Sequence, residues 1–426
     1  MADTNNTPII EVGKPSTGGL CRFCGTVLHH TFVDLGMSPL CESFLSSERL
    51  NQMEPFYPLH TYVCEHCFLV QLQEYVSPQE IFTEYAYFSS YASTWLQHAR
   101  NYTQQMIQRL GLDEQSSVVE VASNDGYLLQ YFLEKNIPVL GIEPAINVAK
   151  AAIEKGIPTL TEFFGSECAR QLAEQNRQAD LIIGNNVLAQ VPDLNDFVEG
   201  LKLLLKPSGV VTIEFPHLSR LIQDNQFDTI YHEHFSYFSF YTAEKIFAAH
   251  GLRLFDVDEL RTHGGSIRIY ACHDNDGTHP VGSKIYELKE REIRDGIARL
   301  AYYENFSDQV KRTKHNLLSL LIDIKRKGKS IAGYGAPGKG NTLLNYCGIR
   351  TDFLDYVVDR NPYKHGKYTP GTHIPIYPPE RIFENQPDYV LILPWNLKDE
   401  IMEQLSSIRE WGAQFIVPIP EAAVFS

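Results

Sequence analysis

The sequence lacks long apolar runs, an excess of basic charge and a large number of cysteines. No stretch of about 18 apolar residues occurs, and the first twenty residues have neither a basic start nor an apolar signal core, so we expect a cytoplasmic protein without membrane contact. The 37 Lys and Arg against 52 Asp and Glu give a formal net charge of −15, which argues against nucleic acid as a partner. Eight cysteines in 426 residues exclude a disulfide scaffold.

The sequence contains enough hydrophobic residues to form several hydrophobic cores. Hydrophobic residues make up 43% of the chain and charged residues 21%, which excludes disorder and a fibrous class. At roughly 100–200 residues per domain, the length predicts more than one domain. We place a cysteine-containing module at residues 1–78, an α/β domain at 79–275 and a second α/β domain at 276–426.

Short apolar segments alternate with helical patterns through most of the chain. Strands are predicted at 117–122, 139–143, 180–184, 210–214, 252–256 and 266–271, and again at 330–335, 353–359, 389–394 and 414–418. Such alternation predicts parallel sheets covered on both faces. No long helix separates the strands at 252–256 and 266–271, so this edge is predicted to be antiparallel. A long charged helical stretch is predicted from about Gly282 to a glycine stop at Gly328.

Two C-x-x-C pairs predict a metal site in the first module. Cys21, Cys24, Cys64 and Cys67 have the spacing C-x2-C-x39-C-x2-C. Two thiolates on one tight turn can converge on a single ion, and four suit a closed tetrahedral zinc site. Because four protein ligands leave no open position, we expect the zinc to be structural. The alternative is that the pairs are redox-active or simply buried.

Two loops of the second domain predict an adenosyl ligand. The first strand continues into Glu120-Val-Ala-Ser-Asn-Asp125-Gly126, and the second strand ends in Gly-Ile-Glu143-Pro144. A loop of small residues lets the backbone approach a ligand, and an acid at the tip of the second strand can accept both ribose hydroxyls. Both loops follow strand carboxyl ends, where the crevice of an open sheet lies. A purely structural loop is the alternative.

A third loop, Asn185-Asn186-Val-Leu-Ala-Gln190-Val-Pro-Asp, follows the strand at 180–184. Together the three loops resemble class I S-adenosylmethionine-dependent methyltransferases, although Ala122 stands where many members have glycine. The resemblance implies a methionine-side pocket, a ribose ligand at Glu143 and further lining residues. The methionine-side residues implied are Glu120, Ser123, Asn124, Asp125 and Gly126. The ribose ligand implied is Glu143, and the further lining residues are Pro144, Asn186 and Gln190.

The segment Tyr231-His232-Glu233-His234-Phe-Ser-Tyr-Phe is the candidate for chemistry. An imidazole with a pKa near 6.5 is a natural proton acceptor, a neighbouring carboxylate can orient it, and tyrosine hydroxyls can donate to a developing oxyanion. A catalytic metal is the weaker alternative, because H-x-H lacks the i, i+4 spacing of zincins. From the residues alone, His232 and His234 are both candidate bases.

With this segment, the resemblance becomes specific and spans Cys21 to about residue 420. The chain resembles sugar C-methyltransferases that act on nucleotide-linked deoxy-keto-sugars. The resemblance implies His234 as the base, Tyr231 and Glu233 as its assistants, and a tyrosine before the methyltransferase domain in the sugar site. We assign that tyrosine to Tyr85, with Tyr87 beside it. C-methylation needs a base plus donors for an enolate oxygen, and the segment offers both.

The last domain contains a glycine-rich loop, Gly333-Tyr-Gly335-Ala-Pro-Gly-Lys339-Gly-Asn-Thr, with Asp359 after the next strand. The pattern G-x-G-x-x-G suggests NAD, whereas loop amides and a lysine suit any diphosphate. The resemblance assigns this loop to the TDP part of the substrate, with NAD as the alternative. The substrate-binding residues implied are Tyr87, Gly335, Ala336, Lys339, Gly340, Asn341 and Thr342.

The expected architecture is therefore α/β: an N-terminal zinc-binding module, a class I methyltransferase Rossmann-like domain and a second, C-terminal Rossmann-like domain. The expected reaction is S-adenosylmethionine-dependent C-methylation of a TDP-linked 4-keto-6-deoxy sugar at C3. Three alternatives remain at this point: O- or N-methylation of a sugar or other small molecule, methylation of RNA or protein, and a non-catalytic zinc-containing binding protein. The oligomeric state stays open, with a monomer as one possibility.

Overall fold

The structure is a computed structural model that describes residues 19–82, 89–91 and 93–426. Its strands form three sheets. The strands are β1 (His30–Ser38), β2 (Tyr57–Val63), β3 (Val70–Leu72), β4 (Val118–Val121), β5 (Val139–Ile142), β6 (Thr159–Leu160), β7 (Ala179–Asn185), β8 (Leu205–Pro216), β9 (Ser236–Tyr237), β10 (Leu252–Leu260), β11 (Ser266–His273), β12 (Ile331–Tyr334), β13 (Val357–Val358), β14 (Ile376–Tyr377), β15 (Tyr389–Ile392), β16 (Gln414–Val417) and β17 (Ala423–Phe425).

The α-helices cover the sheets and connect the strands. They are α1 (Pro78–Phe82), α2 (Ser93–Leu110), α3 (Leu129–Leu133), α4 (Ile146–Glu154), α5 (Ser166–Glu174), α6 (Leu194–Leu204), α7 (Leu218–Gln223), α8 (Phe240–Ala249), α9 (Ser283–Asp295), α10 (Ala301–Glu304), α11 (Phe306–Arg326), α12 (Gly338–Cys347), α13 (Arg381–Asn385) and α14 (Lys398–Gln404). Among the residues that the structure describes, no helix has both the length and the apolar character needed to cross a membrane.

The central sheet has seven strands in the order β10-β11-β8-β7-β4-β5-β6. β4 to β8 pair in parallel, and β11 is antiparallel to both β8 and β10. All four residues of β4 are buried, as expected for a central strand covered on both faces. This arrangement confirms the predicted parallel sheet with an antiparallel edge, and it brings the carboxyl ends of β4, β5, β7, β8 and β10 to one side.

The C-terminal sheet repeats this architecture with six strands in the order β14-β13-β12-β15-β16-β17. β12 to β16 pair in parallel, and β17 closes the edge in the antiparallel direction. The predicted second Rossmann-like domain is confirmed. Its glycine loop joins β12 to α12, so α12 begins beyond the carboxyl edge of this sheet.

The helical stretch predicted from about residue 282 to 328 is helical but divided into three helices. The segment forms α9, α10 and α11, and the first break lies at Gly296, which has φ +108°. A glycine in this region of φ ends a helix readily because it has no Cβ to clash with the backbone. The break turns α11 back toward the N-terminal module, where Phe306 stacks on Phe32 with ring centroids 4.5 Å apart.

The N-terminal sheet contains a strand from outside its own module. Its order is β1-β2-β3-β9, all antiparallel, and β9 belongs to the segment that follows His234. One apolar core then extends from β1–β3 through α7 into α11, α12 and the C-terminal sheet. The module therefore packs against both α/β domains at the place where the candidate chemical segment begins.

Candidate active site and zinc centre

The four paired cysteines lie together at the end of the N-terminal sheet. The Sγ atoms of Cys21, Cys24, Cys64 and Cys67 all lie within 4.8 Å of one another. Sulfurs bound to zinc at about 2.3 Å stand about 3.8 Å apart in a tetrahedron, so this donor set fits a structural Zn²⁺. The Cys64 amide donates to the Leu69 carbonyl at 3.0 Å, which closes one of the two metal-binding turns.

The zinc cluster is connected to the candidate chemical segment by β3. Gln71 Nε2 donates to Cys21 Sγ at 3.2 Å, while the Gln71 backbone pairs with Ser236 of β9. The next amide, that of Leu72, donates to the Phe235 carbonyl at 3.0 Å. β3 therefore contacts the zinc cluster through Gln71 and the residue after His234 through Leu72.

The loop after β4 has the backbone geometry of a ligand cradle. Ala122, Asn124 and Gly126 all have positive φ values, of +56°, +49° and +74°. A Cβ at Gly126 would lie 2.2 Å from Ile157 Cδ1, which explains the glycine. Ala122 occupies the left-handed region, so its methyl group adds backbone strain.

Buried polar atoms without partners surround this loop. Among the described residues, Ser123 Oγ and Asp125 Oδ1 lack a hydrogen bond, and the buried Glu120 carboxylate lies beside them with Tyr127 as a hydrogen-bond partner. Burial, followed by the charges of Glu143 and Asp125, raises the pKa of Glu120 well above its usual range. Unpaired buried polar atoms are costly, so this cluster fits a polar ligand that would satisfy them. The residues present therefore fit the methionine side of S-adenosylmethionine.

Glu143 stands at the tip of β5, as predicted, and faces the same loop. Its Oε2 accepts the Asn124 amide and its Oε1 accepts the Ala145 amide, both at 2.9 Å. Burial raises the pKa of Glu143, and these two amide bonds oppose the rise. Each oxygen retains a lone pair, so the carboxylate could still accept ribose hydroxyls. Pro144 follows it, half-buried, at the start of α4.

The loop after β7 completes this edge of the sheet. Asn186 has φ +57°, its amide donates to the Glu214 carbonyl at 2.7 Å, and its buried Oδ1 lacks a partner among the described residues. Gln190 is half-buried in the same loop. The structure thus brings the nine predicted cofactor residues to the carboxyl ends of β4, β5 and β7.

His234 lies in the crevice with its tautomer determined by the backbone. Nδ1 is 3.0 Å from the Thr229 carbonyl oxygen, and because a carbonyl only accepts, Nδ1 carries the proton and Nε2 the lone pair. Burial lowers the pKa of His234 to about 4, and the charges of His263 and Lys339 act in the same direction. The imidazole is therefore neutral at pH 7, with Nε2 free to accept a proton.

The neighbours of His234 point in different directions. His232 is buried, with Nε2 3.2 Å from the Pro58 carbonyl oxygen of the N-terminal module. Glu233 Oε1 accepts from Cys41 Sγ at 3.4 Å, also in that module. The Tyr231 ring lies 4.1 Å from the His234 ring, centroid to centroid. Burial raises the pKa of Tyr231 well above its usual range, so its hydroxyl remains a donor at neutral pH.

Tyr85 and Tyr87, the predicted sugar-site tyrosines, lie outside the described residues.

Lys339 of the C-terminal glycine loop faces the same crevice. Its Nζ donates to Asn396 Oδ1 at 2.7 Å and lies 4.9 Å from the centre of the Trp395 ring. Burial lowers the pKa of Lys339, and the Asp228 carboxylate opposes that shift. Because its charge acts on both His234 and His263, the loop places a cation beside the candidate base.

The other predicted loop residues bind within the protein. The Asn341 side chain donates to the Cys41 carbonyl at 2.6 Å, and Thr342 Oγ1 donates to the Ile230 carbonyl at 3.2 Å. The Ala336 amide donates to Asp359 Oδ2 at 2.7 Å. Gly335 has φ +82° and a Cβ there would lie 2.6 Å from Pro394 Cδ, while a Cβ at Gly340 would lie 3.0 Å from Leu393 Cβ. These residues hold the loop against the zinc module and the chemical segment.

Asp359, the acid of the NAD interpretation, bonds to backbone amides of its own domain. Asp359 accepts amides from Ala336 and Asn361 at 2.7 and 2.8 Å. In addition, Glu42 of the N-terminal module reaches the start of α12, where the Gly338 amide donates to it and Lys364 lies 3.4 Å away. The start of α12 therefore takes part in packing between the domains.

Sequence reasoning missed His263, Glu42 and Trp395. His263 lies in the turn between β10 and β11, and its Nε2 is 3.2 Å from Asn186 Nδ2. The signal that could have found it is the segment Thr-His-Gly-Gly after a strand parallel to β8, since such a strand ends at the ligand edge. Glu42 and Trp395 act across domain boundaries, and no local pattern marks them.

These loops and their edge of the sheet define the class: a methyltransferase fold that binds S-adenosylmethionine. Three family models match the chain: a methyltransferase domain at residues 95–257, a zinc binding domain at 21–82 and a C-methyltransferase C-terminal domain at 261–420. The C-methyltransferase NovU of Streptomyces niveus is 37% identical over 406 residues, covering 95% of this chain and 96% of NovU. The chain belongs to this family of S-adenosylmethionine-dependent C-methyltransferases.

Solved structures resemble part of the chain. The PH0226 protein from Pyrococcus horikoshii OT3 is 12% identical, with a TM-score of 0.36, and covers 46% of this chain and 97% of that one. Magnesium protoporphyrin IX methyltransferase from Synechocystis PCC 6803 with bound S-adenosylmethionine is 14% identical, with a TM-score of 0.33, covering 42% of this chain and 79% of that one.

Proposed function

We propose that this enzyme methylates C3 of a TDP-linked 4-keto-6-deoxy sugar, with His234 as the base. The observation that carries the proposal is the His234 ring, whose Nδ1–H is committed to the Thr229 carbonyl and whose Nε2 is left as a neutral acceptor. A carbon next to a ketone becomes a nucleophile only after its proton is removed. The neutral Nε2 of His234, near the Lys339 cation and the Tyr231 hydroxyl, suits the removal of that proton.

S-adenosylmethionine, when bound, supplies an electrophilic methyl group on its sulfonium. Glu120, Ser123, Asn124, Asp125 and Gly126 would hold its methionine side and Glu143 its ribose, with Pro144, Asn186 and Gln190 lining the rest of the pocket. This assignment is supported by the unpaired buried oxygens around the loop after β4.

The protein's own residues then prepare the acceptor carbon. His234 Nε2 takes the α-proton, and the bonding electron pair moves onto the carbonyl oxygen to give an enolate. Tyr231, with its raised pKa, can donate to the sugar, and Glu233 supports the segment from the side of Cys41. Tyr85 and Tyr87 remain our candidates for further sugar contacts.

A diphosphate next to Lys339 would explain the cation in the crevice. Lys339 is half-buried and its charge acts on two histidines, an arrangement that favours an anionic substrate group nearby. The Lys339 ammonium has three donor hydrogens, one of which bonds to Asn396 Oδ1, so Lys339 is the loop side chain to which we assign the diphosphate.

The proposal is tested by incubating the zinc-loaded protein with a panel of TDP-keto-sugars and isotope-labelled S-adenosylmethionine. We expect label transfer to a 4-keto-6-deoxy sugar, and product NMR should show the methyl group on C3. A methyl group on oxygen or nitrogen would support the alternative of O- or N-methylation. No transfer to any sugar, combined with labelling of a protein, would overturn the proposal.

We also propose that the enzyme is cytoplasmic and that it has three domains. All eight cysteines are unpaired, as expected in a reducing cytoplasm. We assign the zinc-binding module to residues 1–78, the methyltransferase domain to 79–275 and the nucleotide-sugar domain to 276–426. The oligomeric state stays open, and light scattering during size-exclusion chromatography measures it.

A further inference from the structure

The turn between β10 and β11 carries a histidine that the proposed mechanism does not use. β10 is parallel to β8, because β11 is antiparallel to both, so this turn lies at the ligand edge of the central sheet. His263, in the turn, has φ +54° and ψ +20°. A residue with a Cβ adopts this left-handed conformation at an energetic cost, and such conformations cluster at functional sites.

Hydrogen bonds hold this turn from two sides. Thr262 Oγ1 donates to Glu214 Oε1 at 2.9 Å, and Gln226 Nε2 donates to the Gly264 carbonyl at 2.8 Å. A Cβ at Gly264 would lie 2.6 Å from the Trp395 ring, so the C-terminal domain packs directly on the turn. Both α/β domains therefore fix the direction of the imidazole.

One ring nitrogen of His263 is committed and the other is available. Nε2 lies 3.2 Å from Asn186 Nδ2, and because an amide NH₂ only donates, Nε2 accepts and Nδ1 carries the proton. Nδ1 has no hydrogen bond among the described residues. Burial, reinforced by the Lys339 charge, lowers the pKa of His263 to about 4, so the ring is neutral at pH 7.

We propose that His263 is a second catalytic histidine, whose Nδ1–H donates a hydrogen bond to the carbonyl oxygen of the keto-sugar. This inference rests on the proposed function. When His234 takes the α-proton, the electron pair of the C–H bond moves onto that oxygen, and a donor held in advance stabilises the charge as it forms. The site of His263, between Asn186 of the donor pocket and Lys339 of the glycine loop, is where an acceptor sugar has to lie.

The test removes the ring without straining the backbone. His263→Gly suits a positive φ, and His373→Gly is the matched control, because His373 also has a positive φ, of +55°, and its side chain contacts Glu54 away from the crevice. Loss of one oxyanion donor typically lowers kcat by about 10²–10³-fold. We expect a decrease of that size in His263→Gly, unchanged affinity for S-adenosylhomocysteine, partial recovery of kcat with added imidazole, and near-normal kcat in His373→Gly.

Three results would overturn the assignment. The first is normal turnover in His263→Gly. The second is a loss of turnover that follows a loss of S-adenosylhomocysteine affinity and is not recovered by imidazole, which would place His263 in the donor pocket through Asn186. If His263→Gly fails to fold, His263→Asn is used instead, since asparagine adopts the left-handed region readily. The third is a wild-type protein that methylates no keto-sugar, which overturns the proposed function itself.

Discussion

His232 and His234 stand two residues apart, yet their imidazoles serve different parts of the molecule. The first is buried against the Pro58 carbonyl of the zinc module, and the second opens toward the crevice with its proton held by Thr229. The two rings diverge because the chain turns between them: the His234 amide donates to the Tyr231 carbonyl at 2.9 Å, so the segment is not an extended strand. The geometry therefore makes the two histidines separable by mutation.

His234→Asn should lower kcat by about 10²–10⁴-fold, the usual contribution of a general base, while S-adenosylhomocysteine still binds. His232→Asn is the control and should retain most of the turnover. Steady-state kinetics and calorimetry measure the two effects. If His232→Asn abolishes turnover while His234→Asn does not, the base has been misassigned.

The pH profile of kcat/KM should reflect the low pKa of His234. A base must be deprotonated to act, and burial lowers this pKa from 6.5 to about 4. We therefore expect kcat/KM to be constant from neutral pH down to about pH 5 and to fall as the pH drops through 4. An acid limb near pH 6.5 would show that the free enzyme contains an unperturbed imidazole instead.

Lys339→Ala should raise KM for the nucleotide-sugar and leave KM for S-adenosylmethionine nearly unchanged. The same change removes a positive charge that lowers the pKa of His234, so the acid limb of kcat/KM should move to higher pH. Lys329→Ala is a suitable control because Lys329 pairs with Asp388 at 2.8 Å on the surface of the same domain. An unchanged KM for the nucleotide-sugar would remove the diphosphate from this loop.

At the scale of elements, β9 joins the zinc cluster to the segment that contains the proposed base. It has only two residues, and its partner strand β3 contacts the zinc cluster through Gln71. Arg22, between the first two cysteines, adds a second connection by donating to the Pro192 carbonyl at 2.8 Å. A strand this short depends on its neighbours, so the zinc site supports the position of His234.

Removal of zinc should therefore increase hydrogen exchange at the amides of β9 and Leu72. Protein purified without chelator should contain about one zinc per chain, as four thiolate ligands require. After chelation, exchange in β16 of the C-terminal sheet should stay close to that of the zinc-loaded protein. Unchanged protection of β9 in the metal-free protein would contradict this coupling.

At the scale of the whole molecule, shared packing joins the zinc module to both α/β domains. The apolar core is shared by the zinc module, α7 and the C-terminal sheet, and polar bonds cross the same boundaries. Trp395 Nε1, from the C-terminal domain, donates to the buried Asp228 carboxylate at 2.7 Å. The proposed site takes residues from more than one domain, so we expect its stability and its activity to be linked.

Trp395→Phe should lower the free energy of unfolding by about 1–3 kcal/mol, because it leaves a buried carboxylate oxygen without a donor. Trp411→Phe serves as the matched control, since its Nε1 donates to the Pro387 carbonyl within the C-terminal domain. Denaturant unfolding measures both. In Trp395→Phe we also expect a lower kcat, because Lys339 and the His263 turn pack on this ring. Equal stability and kcat in the two variants would contradict the interdomain role.

The sequence alone determined the class of fold and the ligand edge of the central sheet. Alternating strands and helices specify parallel sheets locally, and Glu120 and Glu143 follow strands whose carboxyl ends must share one edge. Paired cysteines likewise carry their metal geometry in their spacing. Such signals need only a few adjacent residues, which is why the zinc site, the donor loops and the antiparallel edge could be predicted.

Only the tertiary structure decided how the parts combine. The pairing of β3 with β9, the contact of Glu42 with α12 and the packing of Trp395 on the His263 turn join residues far apart in the chain. Such contacts depend on how the domains dock, and no local sequence pattern predicts them. The direction of each histidine is decided in the same way, since it depends on whether Pro58, Thr229 or Asn186 lies within reach of its ring.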